Sequence, residues 1–320
     1  MVNTFREDNS STSGARVLVR KESNADEAYL GIVNRILKEG KWKENRTGVR
    51  TLAIAGATFE HDMASGFPLL TTKKMGLQSV AAELEFFIRG VTDKKWLQDR
   101  KCTIWDEWAN PEKAPYGHDE KSKVLMRAER DLGPVYGWQW RHFGAEYISY
   151  DTDYTGKGYD QLAVLIEKLK KDPNDRRQAV SAWNPNQISK MALPPCHWGF
   201  HVTIINNRLN LTWNQRSVDT MLGLPYNIAS YALLLHLLTK EIGKEVEGLK
   251  EGKLVGFLSD VHIYESHMKG VKEQISRDPR RYPSPKVQTD HFKSIFEWEY
   301  TDTKKVGYES YPKIEFPIAV

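Results

Sequence analysis

In the stretch MALPPCHWGF, residues 191–200, one cysteine stands behind two prolines and ahead of a histidine. Consecutive prolines fix their own φ and drive the residue before each out of the helical region, so Cys196 is offered from a stiff, extended approach. A thiol attacks only as thiolate, and nearby cations favour that form. His197 is adjacent, and Arg216 follows in the polar run NQRSVD. A buried structural cysteine is the competing reading.

Three arginine groups accompany the thiol. Arg46 lies in the turn NRTG, whose Gly48 lets the backbone approach a ligand. Arg176 and Arg177 open a strand and so point to opposite faces. Arg216 is followed by Ser217. Guanidinium forks grip phosphate bidentately, although each arginine alone is as readily a surface ion pair. Glu83 and Glu85 sit two apart on the helix AAELEFFIRG and face different ways, so at most one enters a pocket. The apolar residues that follow place that carboxyl at a cavity margin, where burial raises its pKa. Trp105 and Trp108 either stack on a flat ligand or belong to the core. His262 and Tyr264 share a strand face, and reach a sugar hydroxyl or simply pair with each other. The histidines have no zinc-ligand spacing, so no metal is expected. GxGxxG, the phosphate loop and GxSxG are all missing from the sequence.

The elements that must hold these groups are legible in outline. Helical periodicity runs over residues 27–39, 77–89 and 158–171, and residues 226–242 are apolar nearly all round, as in a buried helix. Strand patterns cover 51–60, 177–183, 199–205, 208–216 and 256–264, with a hairpin turning at Asn206 and Asn207. Residues 1–26 read as a flexible, Ser-rich extension, and 110–131 as an inserted surface loop with room for a short helix. With no repeat or linker after residue 26, the chain reads as one α+β domain over 27–320.

Forty per cent hydrophobic residues and ten tryptophans allow a sizeable core. The net charge of +4 comes from 46 basic and 42 acidic side chains, so there is no polycation. Small arginine knots suit the phosphate of a small ligand better than a duplex, and nucleic acid is not an expected partner. Two cysteines make no disulfide framework, and neither a signal segment nor a membrane-length apolar run is present. A cytoplasmic protein is the expectation.

Ordered along the chain are NRTG, FPLLTTKK, TIWDEW, LGPVYGWQWR, DRR before SAWNP, MALPPCHW, QRSVD, LGLPYNIASYALL, DVHIY and the terminal PIAV. In these strings the sequence resembles the thymidylate synthase superfamily over roughly residues 28–320. The resemblance implies a large mixed β-sheet flanked by helices, a homodimer packed sheet to sheet, a deoxynucleoside monophosphate substrate and 5,10-methylenetetrahydrofolate as cosubstrate. Cys196 then matches the nucleophile that adds to C6 of the pyrimidine, and Glu83 the glutamate that manages protons. Arg46, Arg216 and Ser217 match phosphate ligands, and Arg176 and Arg177 the pair given by the opposite subunit. His262 and Tyr264 match the sugar 3′-hydroxyl contacts, and Asp219 the pterin-binding aspartate. Trp105 and Trp108 match indoles of the folate side, Tyr136 and His197 polar supports of the thiol, and Val320 the closing C-terminus. Asn227 matches the carboxamide that selects uracil, so dUMP is the expected substrate.

Departures from the usual synthase strings bear on the product. The ELE-aromatic helix and Asn214, two positions ahead of Arg216, resemble the phage deoxycytidylate hydroxymethylases. Glu85 and Asn214 near the folate would hold an attacking water. The expectation is therefore a dUMP hydroxymethylase making 5-hydroxymethyl-dUMP, with a virus-encoded enzyme acting in host cytoplasm as one setting. Thymidylate synthase, making dTMP and dihydrofolate, is the alternative, and a non-catalytic nucleotide- or RNA-binding relative is a further one.

Overall fold

The computed structural model describes residues 24–109, 119–126 and 130–319. Most of the N-terminal extension (1–23), parts of the 110–131 insertion (110–118 and 127–129) and Val320 lie outside these residues. The helices are α1 (Ala25–Glu39), α2 (Leu77–Ile88), α3 (Lys94–Gln98), α4 (Glu120–Met126), α5 (Gly137–His142), α6 (Gln161–Lys171), α7 (Gly223–Ile242) and α8 (Met268–Ile275). The strands are β1 (Lys41–Lys43), β2 (Thr51–Ile54), β3 (Ala57–Asp62), β4 (Ala179–Ser181), β5 (His197–Ile205), β6 (Arg208–Asp219), β7 (Lys250–Tyr264), β8 (Lys286–Thr289) and β9 (Thr303–Val306).

Helix α1 starts earlier than periodicity suggests, because the Asn24 side chain accepts from Glu27 N at 2.9 Å. Residues 25 and 26 thus belong to the fold rather than to the extension. Asp26 is buried and accepts from both the backbone and the hydroxyls of Thr71 and Thr72, which pins the segment before α2 to α1.

Seven strands form a mixed sheet in the order β1-β2-β7-β6-β5-β4, with β3 also on β7. The single strand expected over 51–60 is two strands, both antiparallel to the long β7. The strand expected to begin at the Arg176–Arg177 pair is confined to β4, so both arginines precede it. Asn206 and Asn207 have φ of 51° and 54°, the left-handed pair that a two-residue hairpin requires. Among the described residues only β6 and β7 run parallel, with α7 as the crossover between them. The crossover packs back on the sheet through Tyr231, which stacks on Trp213 of β6 at 5.4 Å. Gly256 of β7 admits that indole, since a Cβ there would meet it at 2.4 Å.

Strand alternation decides which side chains face the helices. On β6 Leu209, Leu211, Trp213 and Gln215 are buried, while Asn210, Thr212 and Asn214 take the other, open face. That open face also carries Phe257 and Trp198, 50% and 38% exposed. The consequence for function lies at the C-terminal ends of β6 and β7. Parallel pairing sets Ser217 beside Asp260 and Asp219 beside His262, so polar side chains of two strands are delivered to one place.

Candidate active site

A cleft of about 510 Å³ opens at those strand ends. Arg46, Glu83, Trp108, Cys196, Arg216, Ser217, Asp219, Asn227, His262 and Tyr264 all line it, brought from seven separate segments of the chain.

Cys196 immediately precedes β5, and its backbone N–H donates to the Tyr136 hydroxyl at 2.8 Å. Tyr136 sits at φ 34°, a strained value for a residue with a Cβ, and its ring stacks on Phe87 at 4.9 Å. Burial pushes the Cys196 thiol up, and the guanidinium of Arg216 and then Arg46 pull against it. The cation beside the sulfur is therefore arginine. His197 does not serve as one: burial drives it down to about 3, and its ring bonds the Tyr231 hydroxyl at 3.0 Å. Adjacent strand residues face opposite ways, which is why the sequence neighbour is the wrong partner.

The two prolines do more than stiffen the approach. Arg216 donates through Nε to the Pro195 carbonyl at 3.0 Å and through an Nη to the Pro194 carbonyl at 2.7 Å. Its backbone N–H donates to the Cys196 carbonyl at 2.8 Å. Thiol and guanidinium are thus fixed to one rigid segment. The turn bearing Arg46 closes on Asn45, which accepts from Thr47 N at 2.9 Å and donates to the Val49 carbonyl at 2.7 Å. Gly48 completes it at φ 72°.

Glu83 accepts from the indole N–H of Trp105 at 2.8 Å, and burial pushes its carboxyl up to about 7. A group so poised can give or take a proton near neutrality. Trp105 itself is buried behind the cleft. It holds Glu83, and of the two indoles expected on the folate side Trp108 lines the cleft while Trp105 stands behind it.

A second chain of bonds fixes Asn227. The Trp213 indole, which can only donate, bonds Gln215 Oε1 at 3.2 Å. Gln215 must then donate through Nε2, and it does so to Asn227 Oδ1 at 3.1 Å. The carboxamide NH₂ of Asn227 is left for a ligand acceptor, and its oxygen keeps one lone pair for a ligand donor.

His262 Nδ1 donates to the carboxylate of Asp260 at 3.1 Å, and Lys43 pairs with the same carboxylate. Together they hold Asp260 down to about 2, the His262 bond being the larger influence. With Nδ1 so engaged, Nε2 is the ring nitrogen left for a ligand hydroxyl. Asp219 accepts from Met221 N at 3.2 Å and Leu222 N at 3.1 Å, which fixes its carboxylate at the entrance to α7.

Gln215, Asp260 and Lys43 were not among the residues singled out in the sequence. The alternation of NQRSVD around Arg216 carried the signal for Gln215; Lys43 and Asp260 meet only through the fold. Two expected residues fall elsewhere. Glu85 is buried on the far side of α2, where it pairs with Arg89 at 2.6 Å and accepts from Tyr300 N at 2.9 Å. Asn214 lies on the open face of the sheet beside Phe257 and Trp198, because Gln215 takes the inward position. Neither lines the cleft, in contrast to the folate-side place expected for both. Arg176 and Arg177 are likewise outside it; the Arg177 side chain is 84% exposed and bonded to Asp175. Val320 falls outside the described residues, but Ile318 and Ala319 reach the cleft.

A mixed sheet thus brings a thiol, an arginine pair and an oriented carboxamide to one cleft. The thymidylate synthase family model matches residues 27–320, and the chain belongs to that family. It is 43% identical over 299 residues to the bifunctional dihydrofolate reductase-thymidylate synthase of Paramecium tetraurelia, covering 93% of this chain and 62% of that protein. To the protein of the same name from Zea mays it is 42% identical over 292 residues, covering 91% of this chain and 54% of the other. The chain thus spans between about half and two thirds of the length of these relatives.

Proposed function

We propose that residues 27–320 form a catalytic domain that methylates dUMP to dTMP, a thymidylate synthase activity. The observation that carries this reading is Cys196 facing the same cleft as Arg216, Arg46, Ser217 and the oriented Asn227. The arginines and Ser217 take the 5′-phosphate. Asn227 donates to O4 of uracil and accepts from N3–H, a pattern cytosine reverses. His262, through Nε2, and Tyr264 take the 3′-hydroxyl. So held, C6 of the ring lies against the sulfur. Cys196 Sγ bonds to C6, and the C5–C6 π electrons move toward C5 and O4, where the Asn227 NH₂ meets the developing charge. Glu83 moves the protons that this addition and its reversal require.

The other half of the cleft fits a flat folate. Trp108, Ile104, Leu222, Tyr226 and Ile318 give it apolar walls, and the fixed Asp219 carboxylate accepts from ring N–H groups. Methylenetetrahydrofolate, when bound, supplies both the one-carbon unit and the hydride.

This replaces hydroxymethylation as the leading reading. Glu85 and Asn214, the two groups assigned to hold the water, lie outside the cleft, and the relatives carry synthase in their names. The protein would act as a homodimer in the cytoplasm: the open sheet face with Phe257 and Trp198 supports a second copy there, and Arg176 and Arg177 are exposed outside their own cleft, Arg177 paired with Asp175, where a partner's cleft would take them.

Incubation with dUMP and methylenetetrahydrofolate tests the reading. One dihydrofolate per nucleotide gaining a methyl group supports it; 5-hydroxymethyl-dUMP without dihydrofolate restores the hydroxymethylase. A Cys196→Ser variant should bind dUMP without turnover, whereas unchanged behaviour would favour a non-catalytic binder. Sedimentation then decides the dimer.

A further inference from the structure

His267 is fully buried, and none of the chemistry above uses it. It follows β7 by one short turn, three residues beyond Tyr264. Its Nε2 bonds the Pro317 carbonyl at 2.8 Å, and since a carbonyl only accepts, Nε2 carries a hydrogen. Its Nδ1 is a buried nitrogen with no hydrogen-bond partner, and it faces Asp219 Oδ1 at 3.7 Å. A buried orphan of this kind is uncommon and calls for a cause.

The ring has partners on both sides as well. Centroids step from His262 to Tyr264 at 5.2 Å, from Tyr264 to His267 at 5.4 Å and from His267 to Phe316 at 5.1 Å. Phe316 is in turn covered by Lys73, which also donates to the Met221 carbonyl. Gly270 lets Phe316 approach this closely, because a Cβ there would meet the ring at 2.5 Å. The charged and titratable groups facing His267 are therefore Asp219 at the end of β6, Tyr264 of β7 and, across Phe316, Lys73. One imidazole stands between the C-terminal segment and the carboxylate of the folate side.

We propose that His267 is a positioning residue: it grips the C-terminal segment through Nε2–H and orients Asp219 through a proton on Nδ1. An ionised carboxylate only accepts, so a hydrogen bond between Nδ1 and Asp219, which 3.7 Å does not yet make, requires that proton between them. Closing the 3.7 Å gap to hydrogen-bond length turns an orphan atom into a charge-assisted bond. Movement of the C-terminal segment is thus felt at Asp219. The inference rests on the folate-side role proposed for that residue.

Two measurements on the whole chain test it. In imidazole ¹⁵N spectra at neutral pH, both nitrogens of His267 should appear protonated, and Asp219→Asn should leave Nδ1 bare; a bare Nδ1 in the unaltered protein overturns the proposal. Calorimetry with tetrahydrofolate added to the dUMP complex gives the second readout. His267→Phe keeps the ring contacts and loses both nitrogens. Its tetrahydrofolate affinity should fall by roughly 5- to 150-fold, the usual span of a coupling between sites, with dUMP binding unchanged. His267→Gln, which keeps one donor for Pro317, should recover part of the loss. Equal losses for dUMP and tetrahydrofolate would mark a merely structural residue and overturn the proposal. Should the unaltered protein bind neither compound, the proposed function falls, while the spectra still decide the state of His267.

Discussion

The indole N–H of Trp105 donates to Glu83 across 2.8 Å, and this bond works against burial, the stronger influence on that carboxyl. Removing it with Trp105→Phe should move the pH–rate limb governed by Glu83 to higher pH, read from kcat/KM profiles. Glu83→Gln should lower kcat by about 10²- to 10⁴-fold, the usual weight of a positioned acid–base group.

Glu83 also gives stability a sign with pH. Its folded value of about 7 lies above the ordinary 4.5, so the folded state binds the proton more tightly than the unfolded chain. Its contribution is present below about 4.5 and is lost as pH rises through about 7. Glu83→Gln should flatten the Tm-against-pH curve in that window; an unchanged slope would show that the carboxyl is not the group responsible.

Arg216 is held by two prolyl carbonyls, a fork that lysine cannot reproduce. Arg216→Lys should weaken dUMP binding by roughly ten- to hundredfold, the loss of one hydrogen bond to a charged group. Equilibrium binding of dUMP to Cys196→Ser and to the double variant isolates this from chemistry.

Gln215 passes the Trp213 donor to Asn227 and so decides which way the carboxamide points. Gln215→Met should leave the cleft filled but release that orientation. The ratio of kcat/KM for dUMP over dCMP should then shrink, and Asn227→Asp should reverse the preference. A ratio unchanged in Gln215→Met would show that Asn227 is oriented without it.

Asp26 accepts four hydrogen bonds from Thr71 and Thr72 in the core. Asp26→Ala leaves these donors buried without partners, at a cost on the order of 3 kcal/mol or more. Denaturant unfolding should report that loss, with the midpoint falling and the slope unchanged.

Much of this protein was readable before any coordinates. The periodicities of α1, α2, α6 and α7, the Asn206–Asn207 hairpin and the mixed α+β class follow from local rules, because side-chain spacing and turn chemistry act within a few residues. The sequence motifs were also specific enough to indicate the family. What local rules leave open clusters where partners are distant in sequence. Of the two cations that the sequence offers the thiol, His197 turns toward Tyr231, and the charge comes from Arg216, twenty positions beyond Cys196. Glu85 and Asn214 were assigned to the folate, yet helix and strand phase send them to Arg89 and to the open sheet face.

The amino-acid sequence alone determined which chemical groups this protein owns and which local elements carry them, since composition, period and turn residues are properties of the chain itself. Only the tertiary structure decided which of those groups meet. The parallel run of β6 beside β7 sets Asp219 against His262 and opens the cleft toward Cys196. Burial there, a property of the packed whole, raises Glu83 and the thiol alike.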